Sequence, residues 1–186
     1  MSYDGQLKPL TSEPTDPYHR MGKGWDNYIE MGILPSKMIQ AVPWYGPVYS
    51  CSNFPLSNPN TPNPAKSCKT NIFSKKTQYH FGDLYKLIAE AEENGFERYY
   101  DEDYLQYNII VNATNANDES QNINTHVAWF NTEETLRLRF ERQALSSGAA
   151  GVASWWAHSL NYEDENVFEF NQKLWNQLGL VVDELL

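Results

Sequence analysis

The chain has 186 residues, a formal net charge of −10 at pH 7 and a hydrophobic content of 41%. This acidic balance disfavours binding to nucleic acid or to anionic membranes, because both need a positively charged face on the protein. No apolar run approaches the roughly 18 residues that a membrane span requires. A neutral ligand suits such a surface better.

The first part of the chain follows the order loop, helix and strand. Residues 1–4 have the pattern of a strand end, and residues 6–20 form a loop rich in Pro, Thr and Ser. Apolar residues on one face predict a short helix between Gly24 and Gly32. Met38–Trp44 is mostly apolar, which predicts a strand buried on both faces, as in a parallel sheet.

This strand is expected to end in a ligand-binding region. Gly46 and Pro47 predict its end, and residues 45–78 show no period, which predicts a long irregular loop. Trp44 and Tyr45 would then lie at the C-terminal edge of a parallel sheet, where α/β proteins bind ligands. Two roles stay open for both side chains, core packing and the wall of a site.

Two cysteines lie in the loop. Cys51 and Cys68 enclose residues 52–67, and a disulfide between them would stabilise the fold by about 3 kcal/mol. The alternative is a pair of free thiols in a cytosolic loop; a metal site is disfavoured because no partner lies at ligand spacing. Asn112 begins the one usable glycosylation sequon, and together with the cysteines it favours a secreted or lysosomal protein.

The second half alternates helices and short strands. Apolar spacing of three and four, followed by Gly95, predicts a helix over Phe81–Asn94. Asn131, three residues before Glu134, predicts the N-cap of a further helix. The remaining predicted elements are strands at 96–100, 105–111, 125–130 and 151–156, a helix end at Gly148, and a last helix that Gly179 terminates.

Five short motifs occur in the same order as in glycoside hydrolase family 18 and resemble its chitobiase branch. Two resemble the seventh and eighth barrel strands, Val42-Pro43-Trp44-Tyr45-Gly46 and Gly151-Val152-Ala153-Ser154-Trp155. The others are Met1-Ser2-Tyr3-Asp4, similar to the sixth strand, Gly24-Trp25-Asp26-Asn27-Tyr28, similar to a helix, and Trp129-Phe130-Asn131.

The resemblance implies an α/β fold, a partial (β/α)8 TIM barrel in which residues 1–186 are the C-terminal portion of one catalytic domain. A complete barrel needs about 250 residues, so this chain would supply an arc of about three strands, their helices and a long loop. Such an arc leaves strand edges open, and we expect it to require the N-terminal half for stability. The segment before Trp129 is expected to lack the α+β lobe inserted in many chitinases.

Family 18 enzymes hydrolyse β-1,4-linked N-acetylglucosamine glycans by a substrate-assisted retaining mechanism. One Glu protonates the glycosidic oxygen, and the acetamido carbonyl of the sugar attacks C1. The Asp-x-x-Asp-x-Asp-x-Glu motif that carries this acid is absent from the sequence. The acidic clusters 101–103 and 163–165 lack its spacing and are expected to be solvated or to charge helix N-termini. No catalytic residue, metal or cofactor is therefore expected in this chain.

The resemblance does imply residues of a sugar-binding wall. Tyr3 would hydrogen-bond the acetamido carbonyl, Asp4 a hydroxyl or the amide, and Met1 would line the pocket. Trp155 would lie under N-acetylglucosamine as a stacking platform. The alternatives are a frayed N-terminus for Tyr3 and Asp4 and core packing for Trp155.

Two neighbours of Trp155 have expected roles away from the sugar. Trp156 is expected on the opposite face of the strand, packed against a helix, and His158 is expected to hydrogen-bond at a loop end. A non-catalytic N-acetylglucosamine-binding lectin would use the same residues as the enzyme, and a third interpretation is an unrelated small α/β domain.

Overall fold

The computed structural model describes residues 11–51, 63, 68–70, 76–112 and 125–185. The helices are α1 Tyr18–Glu30, α2 Phe81–Glu93, α3 Glu133–Phe140 and α4 Phe168–Leu185. The strands are β1 Ile39–Pro43, β2 Tyr45–Ser50, β3 Lys76–His80, β4 Tyr99–Asp101, β5 Gln106–Asn112, β6 Thr125–Phe130 and β7 Gly151–Trp155. A π-helical turn, Glu141–Leu145, extends α3. No helix in these ranges has both the length and the apolar character to span a membrane.

Among the described residues, the barrel-like part consists of two parallel strands. β1 pairs with β7 in a register that runs from Ile39 opposite Gly151 to Pro43 opposite Trp155. These are the strands expected as barrel strands seven and eight, and α4 packs against β7. The expected sixth strand, residues 1–4, lies outside the described residues. Within the described part the sheet does not close, which confirms the α/β class and the open, partial barrel.

A second, antiparallel sheet follows β1 without a break. The chain passes through Trp44 into β2, which belongs to a five-stranded sheet of order β3-β2-β6-β5-β4. Helix α2 covers this sheet with its buried residues Phe81, Leu84 and Ile88. The expectation of an irregular loop over residues 45–78 was therefore wrong at both ends of that range, where β2 and β3 lie, while residues 52–62, 64–67 and 71–75 lie outside the described residues. The expectation of no α+β lobe was also wrong.

Gly46 and Pro47 are accommodated inside β2 because of what lies next to them. A Cβ atom at Gly46 would lie 2.1 Å from the carbonyl oxygen of Trp129, so only glycine lets these backbones approach so closely. The pairing of β2 with β6 begins at Val48, one residue after Pro47. Pro47, which has no backbone N–H to donate, therefore lies just before the residues of β2 that pair with β6.

One apolar core joins the two sheets. One buried cluster contains side chains from both sheets and from two helices: Val42 of β1, Trp44 between β1 and β2, Phe130 of β6, Leu136 of α3 and Leu174 of α4. Burial of such side chains contributes about 1.5–3 kcal/mol each before the conformational entropy cost. The described part of the barrel and the antiparallel sheet therefore share one hydrophobic core.

Two helices begin at residues other than those predicted. α1 begins at Tyr18 after Pro17, six residues before Gly24, because Pro is well tolerated at a helix start. α3 begins after Thr132, whose hydroxyl accepts from Thr135 N while the Thr135 hydroxyl accepts from Thr132 N.

The last helix passes through its predicted terminator. α4 continues through Gly179 to Leu185, and both Leu178 and Val181 are buried on its inner face. Glycine inside a helix costs about 1 kcal/mol. Burial of the next apolar turn offsets this cost, so tertiary packing overrides the local signal.

A buried ion pair connects the segment before α1 to α3. Arg139 Nη2 donates to Asp16 Oδ2 at 2.6 Å and to the Asp16 carbonyl at 2.7 Å, while Arg139 Nη1 donates to Asn131 Oδ1 at 3.1 Å. The Gln106 amide donates to Asp16 Oδ1 at 2.6 Å. Burial raises the pKa of the Asp16 carboxyl above its ordinary value, and Arg139 and Gln106 act against that shift.

Asn131, predicted as an N-cap, serves this network instead. Its side-chain oxygen faces the Arg139 guanidinium, and the residue is buried. The prediction that Asn131 caps the helix was wrong by one residue, because Thr132 provides the cap.

Candidate functional site

The candidate site lies where the two parallel strands end. β1 ends at Pro43 and β7 at Trp155, and Trp44 N donates to the Trp155 carbonyl at 3.1 Å. Because the strands are parallel, their carboxyl ends meet at one edge, the edge that carries the active site in known barrels. The structure therefore brings the Tyr45 and Trp155 regions together, as the sequence predicts.

Trp155 is open to solvent at this edge. Its residue exposure is 40%, far from that of a core tryptophan such as Trp129, which is fully buried. An indole of this exposure can present an apolar surface to a ligand. Within the described residues Trp155 is therefore not part of the core, and its role in a sugar site stays a prediction.

Trp44 has the opposite environment. It is fully buried in the common core, and its ring packs edge-on against Trp175 of α4, with 4.7 Å between centroids and an interplanar angle of 85°. Of the two roles left open for Trp44, the structure gives it core packing. Tyr45 is 7% exposed, and its ring centroid lies 5.4 Å from that of Trp156, so it packs against a residue next to the candidate edge.

The structure corrects the expectation for Trp156. This residue has a left-handed backbone with φ of 67°, which breaks the alternation of the strand, and it is 40% exposed. Its ring contacts Tyr45 and two imidazoles, with 5.6 Å to the His80 centroid and 5.5 Å to the His158 centroid. Sequence reasoning missed Trp156 and His80 because the reversal of the backbone leaves no signal in the residue pattern.

A polar cavity adjoins the two imidazoles. His80 Nδ1 and Ser159 Oγ are 2.9 Å apart, and the two imidazole rings are 5.9 Å apart. The cavity measures about 360 Å³. Its walls also include the acidic residues Asp83 and Glu163, as well as Leu160, Asn161 and Tyr162.

Within the acidic cluster 163–165, Asp164 lies at the N-terminus of a short helix, as expected. Asp164 Oδ1 accepts from Asn166 N at 2.9 Å, at the start of a 3₁₀ turn, and Asp164 also pairs with Lys86 of α2 at 2.5 Å. The hydrogen bond from Lys86 lowers the pKa of Asp164. This exposed pairing connects the loop after β7 to α2.

The cluster 101–103 is likewise structural but not solvated throughout, since Asp101 is buried. Its carboxylate accepts from the backbone N–H of Asp103 and Tyr104 and from the Asn63 amide. These contacts form the turn between β4 and β5. The Asp101 carboxylate therefore stabilises a turn, and this turn is distant in sequence from the strand ends that form the candidate edge.

The remaining predicted residues have varied positions. Cys51 and Cys68 form a disulfide beside the cluster of Tyr49, Val127 and Trp129. Met1, Tyr3 and Asp4 lie outside the described residues, and so do the residues that follow Asn112 in its sequon; Asn112 itself is the last residue of β5. Among described residues, no group of three or more His, Cys, Asp or Glu is arranged to hold a metal ion.

Comparison with solved structures identifies the fold as that of chitinases. A class V chitinase from Nicotiana tobaccum, solved in complex with NAG4, superposes with a TM-score of 0.66 and 13% identity, over 96% of this chain and 47% of its own. A chitinase-like agglutinin from Robinia pseudoacacia gives a TM-score of 0.63 and 16% identity, over 98% and 46%. These identities establish the likeness of fold alone.

Sequence comparison identifies a more particular relative. The chain is homologous to di-N-acetylchitobiase from Mus musculus, with 26% identity over 182 residues, 96% of this chain and 47% of the mouse protein. The rat protein gives 25% identity over the same share. No family model matches the chain. The chain thus spans about half the length of the curated relatives it matches.

Proposed function

We propose that this chain is the C-terminal part of a chitinase- or chitobiase-like glycoside hydrolase that cleaves β-1,4-linked N-acetylglucosamine saccharides. The single observation that carries the proposal is Trp155, exposed at the common carboxyl edge of two parallel strands. The homology to di-N-acetylchitobiase and the tobacco chitinase complexed with NAG4 support this ligand class.

In this proposal the chain binds sugar and does not supply the acid. Trp155 stacks on the C–H face of an N-acetylglucosamine ring, and Tyr3 and Asp4 hold its acetamido group and a hydroxyl, with Met1 beside them. Orientation of the acetamido carbonyl towards C1 is what a substrate-assisted reaction requires. The general acid would come from an N-terminal half of the barrel, without which the chain does not hydrolyse glycans.

The surface next to α1 supports a partner in the form of that N-terminal half. Exposed apolar residues cluster near the outer side of β1, and a groove of about 440 Å³ there is lined by Trp25, Tyr28, Met31 and Ile39 among others. Met31 is 72% exposed and Ile39 is 59% exposed. Apolar patches of this kind mark contact surfaces in soluble proteins.

The disulfide supports an extracytosolic location. Disulfides form and persist in oxidising compartments and are rare in the cytosol. The Cys51–Cys68 bond therefore favours a secreted or lysosomal protein over a cytosolic one, and we expect Asn112 to carry a glycan there.

A non-catalytic lectin is the second candidate, because the acid motif is absent from the sequence and a chitinase-like agglutinin has the same fold. The two candidates share Trp155 and differ in the segment upstream. A strand-four segment ending in Glu supports an enzyme, whereas one ending in Leu or Gln supports a lectin.

Saccharide binding by the 186-residue chain tests both candidates against an unrelated role. Saturation-transfer NMR with the N-acetylglucosamine tetrasaccharide should show binding in the millimolar range, equivalent to about −4 kcal/mol. Trp155→Ala should weaken it at least about tenfold, or about 1.4 kcal/mol. Phe168→Ala, which removes an aromatic residue that is 57% exposed at the start of α4, is the matched control and should bind normally.

Cellotetraose, which lacks acetamido groups, should bind more weakly than the N-acetylated tetrasaccharide. Far-UV circular dichroism gives the folded fraction of the chain in the same buffer. For the folded chain, equal binding of the two sugars, or no binding of either, would overturn the proposal.

A further inference from the structure

We propose that a further cavity, away from the candidate edge, binds a small organic ammonium ion. This aromatic cavity measures about 310 Å³, within the range of small-ligand pockets, and lies between α2, the start of α3 and the start of α4. It shares no described lining residue with the polar cavity beside His80. The site therefore goes beyond the proposed function and does not depend on it. Its lining includes five aromatic residues, Phe81, Tyr85, Tyr107, Phe130 and Phe170.

The aromatic residues form a wall that is fixed by packing. The rings of Tyr85 and Phe170 stack with 4.5 Å between centroids and an interplanar angle of 26°. Those of Tyr107 and Phe130 stack with 6.0 Å and 22°. Phe81 and Phe130 are buried, whereas the other three are half-buried. The wall thus presents ring surface to a ligand without having to rearrange, which lowers the entropy cost of binding.

The structure already places a cation on one of these rings. Cζ of Arg98 lies 5.6 Å from the centroid of the Phe130 ring, a distance at which the ring quadrupole attracts positive charge. The same guanidinium donates from Nη2 to Glu92 Oε2 at 2.8 Å, so its own charge is engaged. Alkylated ammonium ions are the ligands that several aromatic faces together recognise in this way.

Carboxylates at the rim give the cavity an excess of negative charge. Both cationic side chains of the lining are engaged, Lys173 with Glu169 at 3.0 Å and Arg98 as described. Among the described residues no ion pair engages Glu133 or Glu134, which lie in the first turn of α3. The N-terminus of this helix tolerates two such neighbours but carries only about half a positive charge. A ligand with a positive charge and an apolar body therefore complements the cavity, and an anion does not.

The first experiment separates charge from shape. Choline and 3,3-dimethylbutan-1-ol have the same shape, and only choline is charged. Saturation-transfer NMR on the 186-residue chain, in phosphate buffer, should show choline binding in the millimolar range and the alcohol about tenfold more weakly. Benzyltrimethylammonium should bind more tightly than choline because its ring buries additional apolar surface. Phenylacetate, an aromatic anion, should bind more weakly than either ammonium ion.

Two pairs of charge variants test the rim. Glu133→Gln together with Glu134→Gln removes both unpaired charges with little change in size and should weaken choline binding at least about fivefold. The matched control is Glu90→Gln together with Glu93→Gln on α2, outside the lining of the aromatic cavity. It changes the net charge of the protein by the same amount and should bind choline normally.

Two aromatic variants test the location. Phe170→Leu removes a ring of the wall while retaining an apolar side chain, and it should weaken choline binding at least about threefold. Trp155→Ala removes the exposed ring at the candidate edge and should leave choline binding unchanged. Far-UV circular dichroism of each variant gives the folded fraction, and affinities are compared per folded protein.

The outcomes decide the ammonium site separately from saccharide binding. Equal binding of choline and the neutral alcohol, tighter binding of phenylacetate, or no binding of either ammonium ion by the folded chain would overturn the site. Loss of choline binding in Trp155→Ala would also overturn it, because the cation would then lie at the candidate edge. In each case the saccharide titrations still decide the proposed function, and their failure leaves the ammonium site standing.

Discussion

Removal of one partner of the buried Asp16–Arg139 pair should destabilise the protein far more than loss of a surface pair. Replacing Arg139 with Met retains much of its aliphatic volume but leaves the Asp16 carboxylate without its cation. The side-chain exposures are 0% for Arg139 and 4% for Asp16, so water cannot replace the lost interaction. The Gln106 amide remains as a neutral donor.

The size of the effect follows from burial. Breaking a buried ion pair by removing one partner costs about 3–5 kcal/mol. Asp16→Asn together with Arg139→Met removes both charges, so the double variant should be less destabilised than Arg139→Met alone. The matched control is Arg137→Met on the same helix, whose guanidinium pairs at the surface with Glu141 and Glu184, both at 2.6 Å. Its expected cost is below about 1 kcal/mol.

Urea unfolding followed by tryptophan fluorescence measures these differences by linear extrapolation. Because an open arc is expected to be marginally stable, all variants are compared in one sucrose-containing buffer, which strengthens burial equally for each. Equal losses of unfolding free energy for Arg139→Met and Arg137→Met would contradict the expected effect of burial. So would a double variant less stable than the single Arg139→Met.

Three other perturbations have distinct expected signatures. Burial raises the pKa of the Tyr49 phenol above its ordinary value of 10.0. The stability that the protonated phenol contributes is therefore present below pH 10 and is lost as the pH rises further. Tyr49→Phe should lessen this alkaline loss of stability, measured by urea titration. Replacing Cys51 and Cys68 with Ser should cost about 3 kcal/mol in oxidising buffer and nothing extra in reducing buffer. Gly46→Ala should cost about 1–3 kcal/mol, measured as a shift of the urea midpoint, because its Cβ would meet the Trp129 carbonyl oxygen.

Each of these expectations has a clear contrary result. An unchanged alkaline loss in Tyr49→Phe would show that other groups cause it. An equal stability difference with and without reductant would mean that the cysteine variant acts through packing and not through the crosslink. A Gly46→Ala protein as stable as the wild type would mean that β2 can move away from β6 at little cost.

Elements with a complete local signal were predictable from the sequence. The helix at Phe81 has an apolar stripe and ends before Gly95, whose φ of 86° suits glycine. Strand Thr125–Phe130 agrees with its predicted bounds, and Gly151–Trp155 does so within one residue. In these segments periodicity and the flanking residues agree on one structure.

Elements that depend on distant contacts were not predictable. Gly46 and Pro47 have the pattern of a strand end, yet the carbonyl of Trp129 is what requires glycine at that position. Gly179 has the pattern of a helix end, yet burial of Val181 continues the helix. In both cases a tertiary contact outweighs a local preference of about 1 kcal/mol.

The residues of the candidate site also divide into those that the sequence predicts and those that depend on distant contacts. The position of Trp155 was predictable because it ends an apolar strand that resembles a known motif, and the structure exposes it there. Its contact with sugar stays a prediction. His80 lies 76 residues before Trp156 in the chain, and only the pairing of β2 with β3 brings it to the same edge. No spacing rule on a single sequence connects these two positions.

We have proposed that this chain is the sugar-binding arc of a larger barrel of the chitobiase type. The most direct test captures the native protein with an antibody to residues 163–178, then measures its intact mass and its hydrolysis of a fluorogenic chitobioside. We expect a species about twice the 21.5 kDa of this chain, because the chain spans 47% of the mouse relative, together with activity and a Glu at the end of an upstream strand-four motif. A native monomer of 21.5 kDa that unfolds cooperatively and neither binds nor cleaves the sugar would contradict it.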